Sequence, residues 1–234
     1  NPSGLAASKK ENLSSVLEKA YLADSKSAFG GIFACNKKIE LSSARKLSEI
    51  FLECIIAPDF SEEALECFTR KKSLRVLKTN DLFKQKKESE LNISSFLGGF
   101  LVQSTDTFET RKTSWQKTSN KEATNHEIKD LEIAAKVAMH VKSNAIVIVK
   151  NEQTIGIGAG QMSRIDAAEL AIKKAQDFSH SLSGAVLASD GFFPFRDCIS
   201  IAAKAGITAC IQPGGSVRDK DSIEEANKKN MALY

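Results

Sequence analysis

The stretch Ser189-Asp190-Gly191-Phe192-Phe193-Pro194-Phe195-Arg196-Asp197 directly follows the apolar run Ala185-Val186-Leu187-Ala188. A buried strand normally ends in small polar turn residues. Here three aromatic rings stand beside an Arg-Asp pair. Flat rings with a few placed polar groups suit a pocket for a planar ligand. A satellite core next to an ordinary surface ion pair is the other reading of the same residues. Two further loops after strand ends carry chemistry: Gly158-Ala159-Gly160-Gln161-Met162-Ser163-Arg164 and Pro213-Gly214-Gly215-Ser216-Val217. Glycines let a backbone approach a ligand, and helix N-termini present free N–H groups to an anion. Arg164 stands where a helix begins, so a phosphate or carboxylate is its expected partner. Taken singly, each loop also reads as a tight turn, with Arg164 exposed. The Gly-x-Gly is not the dinucleotide fingerprint, because the third Gly is missing and a hairpin precedes it, and no Gly-Lys-Ser/Thr makes it a P-loop. Asn144, in Lys142-Ser143-Asn144-Ala145, stands at a strand entrance. An Asn there can donate to a carbonyl and accept from an amine at once; it can also close the preceding helix.

The elements that must position these groups follow from periodicity and turn residues. Helical spacing covers about 11–23, 42–54, 126–141, 166–178, 197–205 and 219–229. Ser42 or Ser43 is the expected N-cap of the second, and Ser61 caps a short helix after Pro58. Strands are expected near 32–35, 55–57, 74–77, 98–103, 145–149, 154–158, 185–188 and 207–211, with another starting at Met231. Asn151-Glu152 turns one hairpin, and Gly206 stops a helix. The segment from Lys78 to Asn92 is polar and irregular, and that from Ser104 to Asn125 is a connector with a lone Trp115. Strands alternating with helices give an α/β sandwich. Both halves hold strand-helix runs of similar size, which admits a tandem duplication.

Bulk properties exclude several classes. A chain of 234 residues with 42% hydrophobic content is long enough for one large or two small cores. At 26% charged residues, neither disorder nor a membrane span is indicated. The net charge of +4 is a mild excess. The lysines of Lys84-Gln85-Lys86-Lys87 and Lys228-Lys229 lack interleaved aromatics, so they read as solvated faces and no nucleic-acid partner is expected. Cys35, Cys54, Cys67, Cys198 and Cys210 show no C-x-x-C spacing; they read as buried free thiols of a reducing compartment, without zinc.

Together the motifs around Asn144, Gly158–Arg164, Ser189–Asp197 and Gln212–Asp219 resemble the AICAR transformylase part of the bifunctional purine biosynthesis proteins. Asn1-Pro2-Ser3-Gly4, Ser27-Ala28-Phe29-Gly30-Gly31, Ile55-Ile56-Ala57-Pro58 and Gly98-Gly99-Phe100-Leu101-Val102-Gln103 match in order, so the resemblance covers nearly the whole chain. It implies two tandem cytidine-deaminase-like α/β/α subdomains, residues 1–124 and 125–234, in a cytoplasmic homodimer with active sites at the interface. It implies formyl transfer from 10-formyltetrahydrofolate to the 5-amino group of AICAR, with cyclisation to IMP on a separate cyclohydrolase domain. Gly30, Glu53, Asn144 and Phe192 would contact AICAR, Asn144 as the catalytic member. Arg164, Ile165, Asp197, Ser216 and Val217 would line the folate side. A structural monovalent cation near Asp190 is left open.

The family pattern has a Lys-His pair before its Asn-Pro-x-Gly motif and an Arg- and His-containing tail after the position of Tyr234. The chain as written starts at Asn1 and ends at Tyr234, so the expectation is an active-site shell that does not turn over on its own. Two other readings stand beside this one. A zinc deaminase needs His-x-Glu with Pro-Cys-x-x-Cys, and the sequence holds neither. A non-catalytic interaction fragment has only the length of the chain in its favour.

Overall fold

The computed structural model describes residues 1–80, 91–104 and 115–234. The expected Lys84–Lys87 face and the middle of the expected 104–125 connector lie outside the described residues. The fold is mixed α/β, built on a three-stranded sheet in the first half, a five-stranded sheet in the second, and a separate two-stranded hairpin.

The first half runs α1 (Leu13–Leu22), β1 (Gly31–Ala34), α2 (Leu41–Glu49), β2 (Leu52–Ala57), α3 (Glu62–Thr69) and β3 (Arg75–Lys78). Its three strands are all parallel, in the order β1-β2-β3. One face packs on the helices through Leu17, Leu47, Ile55, Phe60 and Phe68. Ser61 caps α3 as expected, its hydroxyl accepting the Ala64 N–H at 3.2 Å. The helix expected over 42–54 is shorter. It stops at Glu49, and Leu52, Glu53 and Cys54 belong to β2, because pairing with β1 claims the apolar run that follows Ile50. Its N-cap is Glu40 rather than Ser42 or Ser43, and Ser43 is buried instead.

The hairpin pairs β4 (Leu91–Phe96) with β5 (Gly99–Ser104), turning at Leu97-Gly98. The sequence reading places only β5. Every residue of both strands is exposed.

The second half holds α4 (Asn125–Ala138), β6 (Ile146–Lys150), β7 (Gln153–Gly158), α5 (Arg164–Asp177), β8 (Val186–Ser189), α6 (Asp197–Ala205), β9 (Ala209–Ile211), α7 (Asp219–Lys228) and β10 (Ala232–Leu233). The order is β10-β9-β8-β6-β7. The strands are apolar on both sides, as a sheet covered on both faces requires. Ile146, Ile148, Ile155 and Leu187 meet α5, α6 and α7 on one face. Val147, Val149, Ile157 and Val186 meet α4 on the other. A capping box starts α4: Thr124 accepts the Glu127 N–H, and the Glu127 carboxylate accepts the Thr124 N–H. The Asn151-Glu152 turn forms with both φ positive, 54° and 60°. Its two N–H groups donate to the buried Asp130 carboxylate at 2.9 and 2.7 Å.

Several joins among the described residues bind the halves, including Lys142 N–H to Asn1 Oδ1 at 2.9 Å and Gln153 Nε2 to Lys19 O at 2.8 Å. Residues 5–7 run antiparallel along β7, with hydrogen bonds Thr154 N to Leu5 O at 2.9 Å and Ala7 N to Glu152 O at 2.8 Å. Beyond α1, Asp24 meets Lys174 of α5 at 2.6 Å.

Candidate functional site

Strand direction decides where the chemical groups gather. β6 is antiparallel to both β7 and β8, while β8, β9 and β10 are parallel. The amino end of β6 therefore meets the carboxyl ends of β7 and β8: Ile146 lies opposite Gly158 and opposite Ser189. Asn144, the 158–164 loop, the 189–197 loop and the 212–217 loop thus share one rim of the sheet, where an open α/β sheet forms its ligand crevice.

Side-chain contacts knit the rim. Asn144 exchanges backbone hydrogen bonds with Gln161, both at 3.3 Å. Its Nδ2 donates to Gln161 O at 3.0 Å and Met162 O at 3.4 Å. Two carbonyls fix which end of the amide faces the loop, and no donor among the described residues reaches Oδ1. Asn144 therefore does not close α4, which ends at Ala138. Arg164 opens α5, capped by Ser163. Its guanidinium turns inward and pairs with Asp190 through Nη1. The same nitrogen lies 3.4 Å from Ala145 O. Asp190 also accepts the Ala145 N–H at 2.9 Å. Ile165 packs against the core beneath.

The aromatic loop divides its rings. Phe193 is buried, its N–H donating to Gln212 Oε1 at 2.6 Å, which ties this loop to the next. Phe192 and Phe195 are exposed at 45% and 49%, free to meet a ligand. Arg218 lies over the Phe195 ring at 5.1 Å. Asp197 opens α6, one carboxylate oxygen accepting the Cys198 N–H at 2.7 Å. Burial, then the Asp197 charge, push the Cys198 thiol up to about 12, while Arg164 pulls the other way. That thiol is no nucleophile. The Ser216 hydroxyl accepts the Arg218 N–H at 3.0 Å, and Val217 is fully exposed.

A cleft of about 850 Å³ opens beside this rim, and none of Asn144, Arg164, Phe192, Asp197, Ser216 and Val217 lines it. Trp115 and Tyr234, with ring centroids 6.1 Å apart, line it together with Asp190, Gln212, Pro213 and Asp219.

Gly30 and Glu53 lie elsewhere. They sit at the amino ends of β1 and β2, where the Gly30 N–H donates to Phe51 O at 2.9 Å. A Cβ at Gly30 would stand 3.9 Å from Glu53 Oε1, so the two are neighbours, and Phe29 and Phe51 lie beside them, ring centroids 4.9 Å apart and tilted by 40°. Among the described residues no hydrogen bond or ion pair joins this pair to the second-half rim.

Sequence reasoning missed Asp190 and Gln212 as the residues that lock the loops. It also gave Gly158 a ligand-facing role, whereas a Cβ there would meet Ala167 O at 1.9 Å: the glycine admits α5 against β7. All five cysteines are free, Cys54, Cys198 and Cys210 buried and Cys35 and Cys67 partly so. Among the described residues no cluster of His, Cys, Asp and Glu has the makings of a metal site.

A covered α/β sheet with polar and aromatic loops gathered on one rim is the layout of a small-molecule-binding domain. Comparison with known proteins is specific. The AICARFT/IMPCHase bienzyme family model matches residues 1–174. The chain is 48% identical over 233 residues to the bifunctional purine biosynthesis protein PurH of Oceanobacillus iheyensis, covering 100% of this chain and 44% of that protein. The proteins of the same name from Lactobacillus acidophilus and Prochlorococcus marinus strain AS9601 are 46% and 48% identical, with the same coverage of both sequences. The chain belongs to the AICARFT/IMPCHase bienzyme family, whose members named here act in purine biosynthesis, and it spans less than half the length of these relatives. Among solved structures, a Thermotoga maritima diaminohydroxyphosphoribosylaminopyrimidine deaminase/5-amino-6-(5-phosphoribosylamino)uracil reductase is 19% identical. It covers 46% of this chain and 34% of its own at a TM-score of 0.31, too slight a likeness to carry an argument.

Proposed function

We propose that this chain forms the folate- and AICAR-binding shell of a formyltransferase, moving a formyl group from 10-formyltetrahydrofolate to the 5-amino group of AICAR. The observation that carries the reading is the gathering of Asn144, Arg164, Phe192, Asp197 and Ser216 on one sheet rim, in a chain of this family. In the reaction the amine nitrogen attacks the formyl carbon and the formyl oxygen takes up negative charge. The amine proton passes to a base, and collapse expels N10 of tetrahydrofolate, which takes a proton. The AICAR amine is a weak nucleophile because its lone pair is delocalised, so orientation and proton removal dominate the barrier. The free Oδ1 of Asn144 accepts an N–H of AICAR and aims the amine. Phe192 stacks on the flat heterocycle. The second Asp197 oxygen accepts from the amino-pyrimidine edge of the folate, and Arg164, Ile165, Ser216 and Val217 line the folate side. We assign the base and the oxyanion stabiliser to no residue of this chain.

The same reading takes the halves, 1–124 and 125–234, as tandem cytidine-deaminase-like subdomains, and the protein as a cytoplasmic homodimer whose interface completes each site with Gly30 and Glu53. The exposed apolar side chains of β4 and β5 support a protein partner. Among the described residues no helix is long and apolar enough to cross a membrane.

The test is calorimetry with a folate analogue on the intact protein that carries this chain. Arg164→Ala and Asp197→Ala each remove a charged hydrogen-bonding group, and each is expected to weaken binding about tenfold or more, with far-UV circular dichroism unchanged. Wild-type affinity in both variants overturns the assignment.

A further inference from the structure

We propose that Asp190 is a positioning residue that sets Asn144 and Arg164 in one register; the inference rests on the formyl-transfer reading of the site. Both backbone groups of Ala145, the neighbour of Asn144, are held by Asp190: its carboxylate Oδ1 accepts the Ala145 N–H at 2.9 Å, and its own N–H donates to Ala145 O at 3.2 Å. The same Oδ1 accepts from Arg164 Nη1. One carboxylate oxygen thus links the β6 entrance, the α5 start and the end of β8. The side chains of Arg164 and Asp190 are only 11% and 13% exposed, so water has little access to replace either partner.

The guanidinium has few other ties. Its Nε is buried without a hydrogen-bond partner, and Nη1 has only Ala145 O besides Asp190. Among the described residues Nη2 makes no hydrogen bond, and a Cβ on Gly191 would come within 2.5 Å of it. The group therefore lies against the backbone that leads into Phe192, with Nη2 as its unengaged terminal nitrogen. A buried guanidinium that loses its carboxylate is left as an uncompensated charge and turns out toward solvent. Asp190 thereby fixes both the direction of the Arg164 donors and the depth of Asn144.

Asp190→Asn keeps size and the acceptor for Ala145 N–H while deleting the charge. In the intact protein it is expected to raise the KM for the folate cosubstrate about tenfold, with kcat and the KM for AICAR within about twofold. Asp190→Ala, which also leaves the Ala145 N–H without its acceptor, is expected to raise both KM values. Added to Arg164→Met, Asp190→Asn is expected to cause no further loss. Additive losses in that cycle, or an unchanged folate KM in Asp190→Asn, overturn the proposal. The Arg164 Nε–H resonance supplies a readout independent of catalysis. It is expected to exchange slowly in wild type and rapidly in Asp190→Asn, and an unchanged resonance also overturns the proposal. A wild-type protein that shows this change on substitution but transfers no formyl group refutes the function and leaves the positioning intact.

Discussion

Asn144 commits both amide hydrogens to carbonyls of the 158–164 loop, and this makes its remaining oxygen a fixed acceptor. Asn144→Asp places a carboxylate against two carbonyl oxygens and loses that arrangement. The expected outcome in the intact protein is a kcat about 100-fold lower, the scale of losing one oriented polar group, with unfolding temperature little changed; steady-state kinetics beside a thermal melt checks it. The aromatic loop, Arg164 and Asn144 are legible in the sequence because their types are unusual at strand ends. Asp190 is not. An acid after a strand is an ordinary turn residue until the antiparallel pairing of β6 with β8 sets it beside Ala145. Arg164 was legible as a residue seeking a phosphate or carboxylate, and the partner it meets in the fold is Asp190, supplied by the chain itself.

The site's geometry depends on how closely α5 lies on β7. Four alanines, Ala167, Ala168, Ala171 and Ala175, face the sheet fully buried, and Gly156 and Gly158 receive them. A Cβ at Gly158 would fall 1.9 Å from Ala167 O, which is backbone and has little room to yield. Gly158→Ala is expected to destabilise the fold by about 1–3 kcal/mol, read as a lower denaturant midpoint, and to displace Arg164 at the helix start. Asp24 holds the other end of that helix. Burial alone would raise its carboxyl, but Lys174 and the N–H and hydroxyl of Ser27 outweigh it and hold it below the usual range. The folded state then binds fewer protons, so this contribution is complete above the unfolded carboxyl's pKa and fades as pH falls through the folded one. Asp24→Asn is expected to remove that part of the acid-side loss, making stability less steep between about pH 5 and 2; urea titrations across that range measure it. Most elements were legible from period and caps, including α6 with both its ends. The end of α2 was not, because the run from Ile50 to Cys54 suits helix and strand alike, and only the neighbour β1 decides between them.

At the scale of the whole molecule, apolar surface is left uncovered. Parallel sheets are normally covered on both faces, yet Ile32 and Leu77 of the first sheet are 70% and 50% exposed. Leu97 and Phe100 of the hairpin are 94% and 74% exposed. A two-stranded hairpin has little stability alone, so the dimer we propose draws on this arm. Leu97→Lys with Phe100→Lys is expected to shift the intact protein toward monomer in sedimentation at micromolar concentration, with helical content kept; an unchanged dimer places the interface elsewhere. The short ribbon of residues 5–7 along β7 has a further consequence. The outer side of β7 would otherwise be a naked row of donors and acceptors, a template on which a stranger's strand can grow. Cover against strand addition at that border therefore comes from a few residues contributed by the other half of the chain, and peeling them away would bare the border and strip the buried Thr154 hydroxyl of its Leu5 partners.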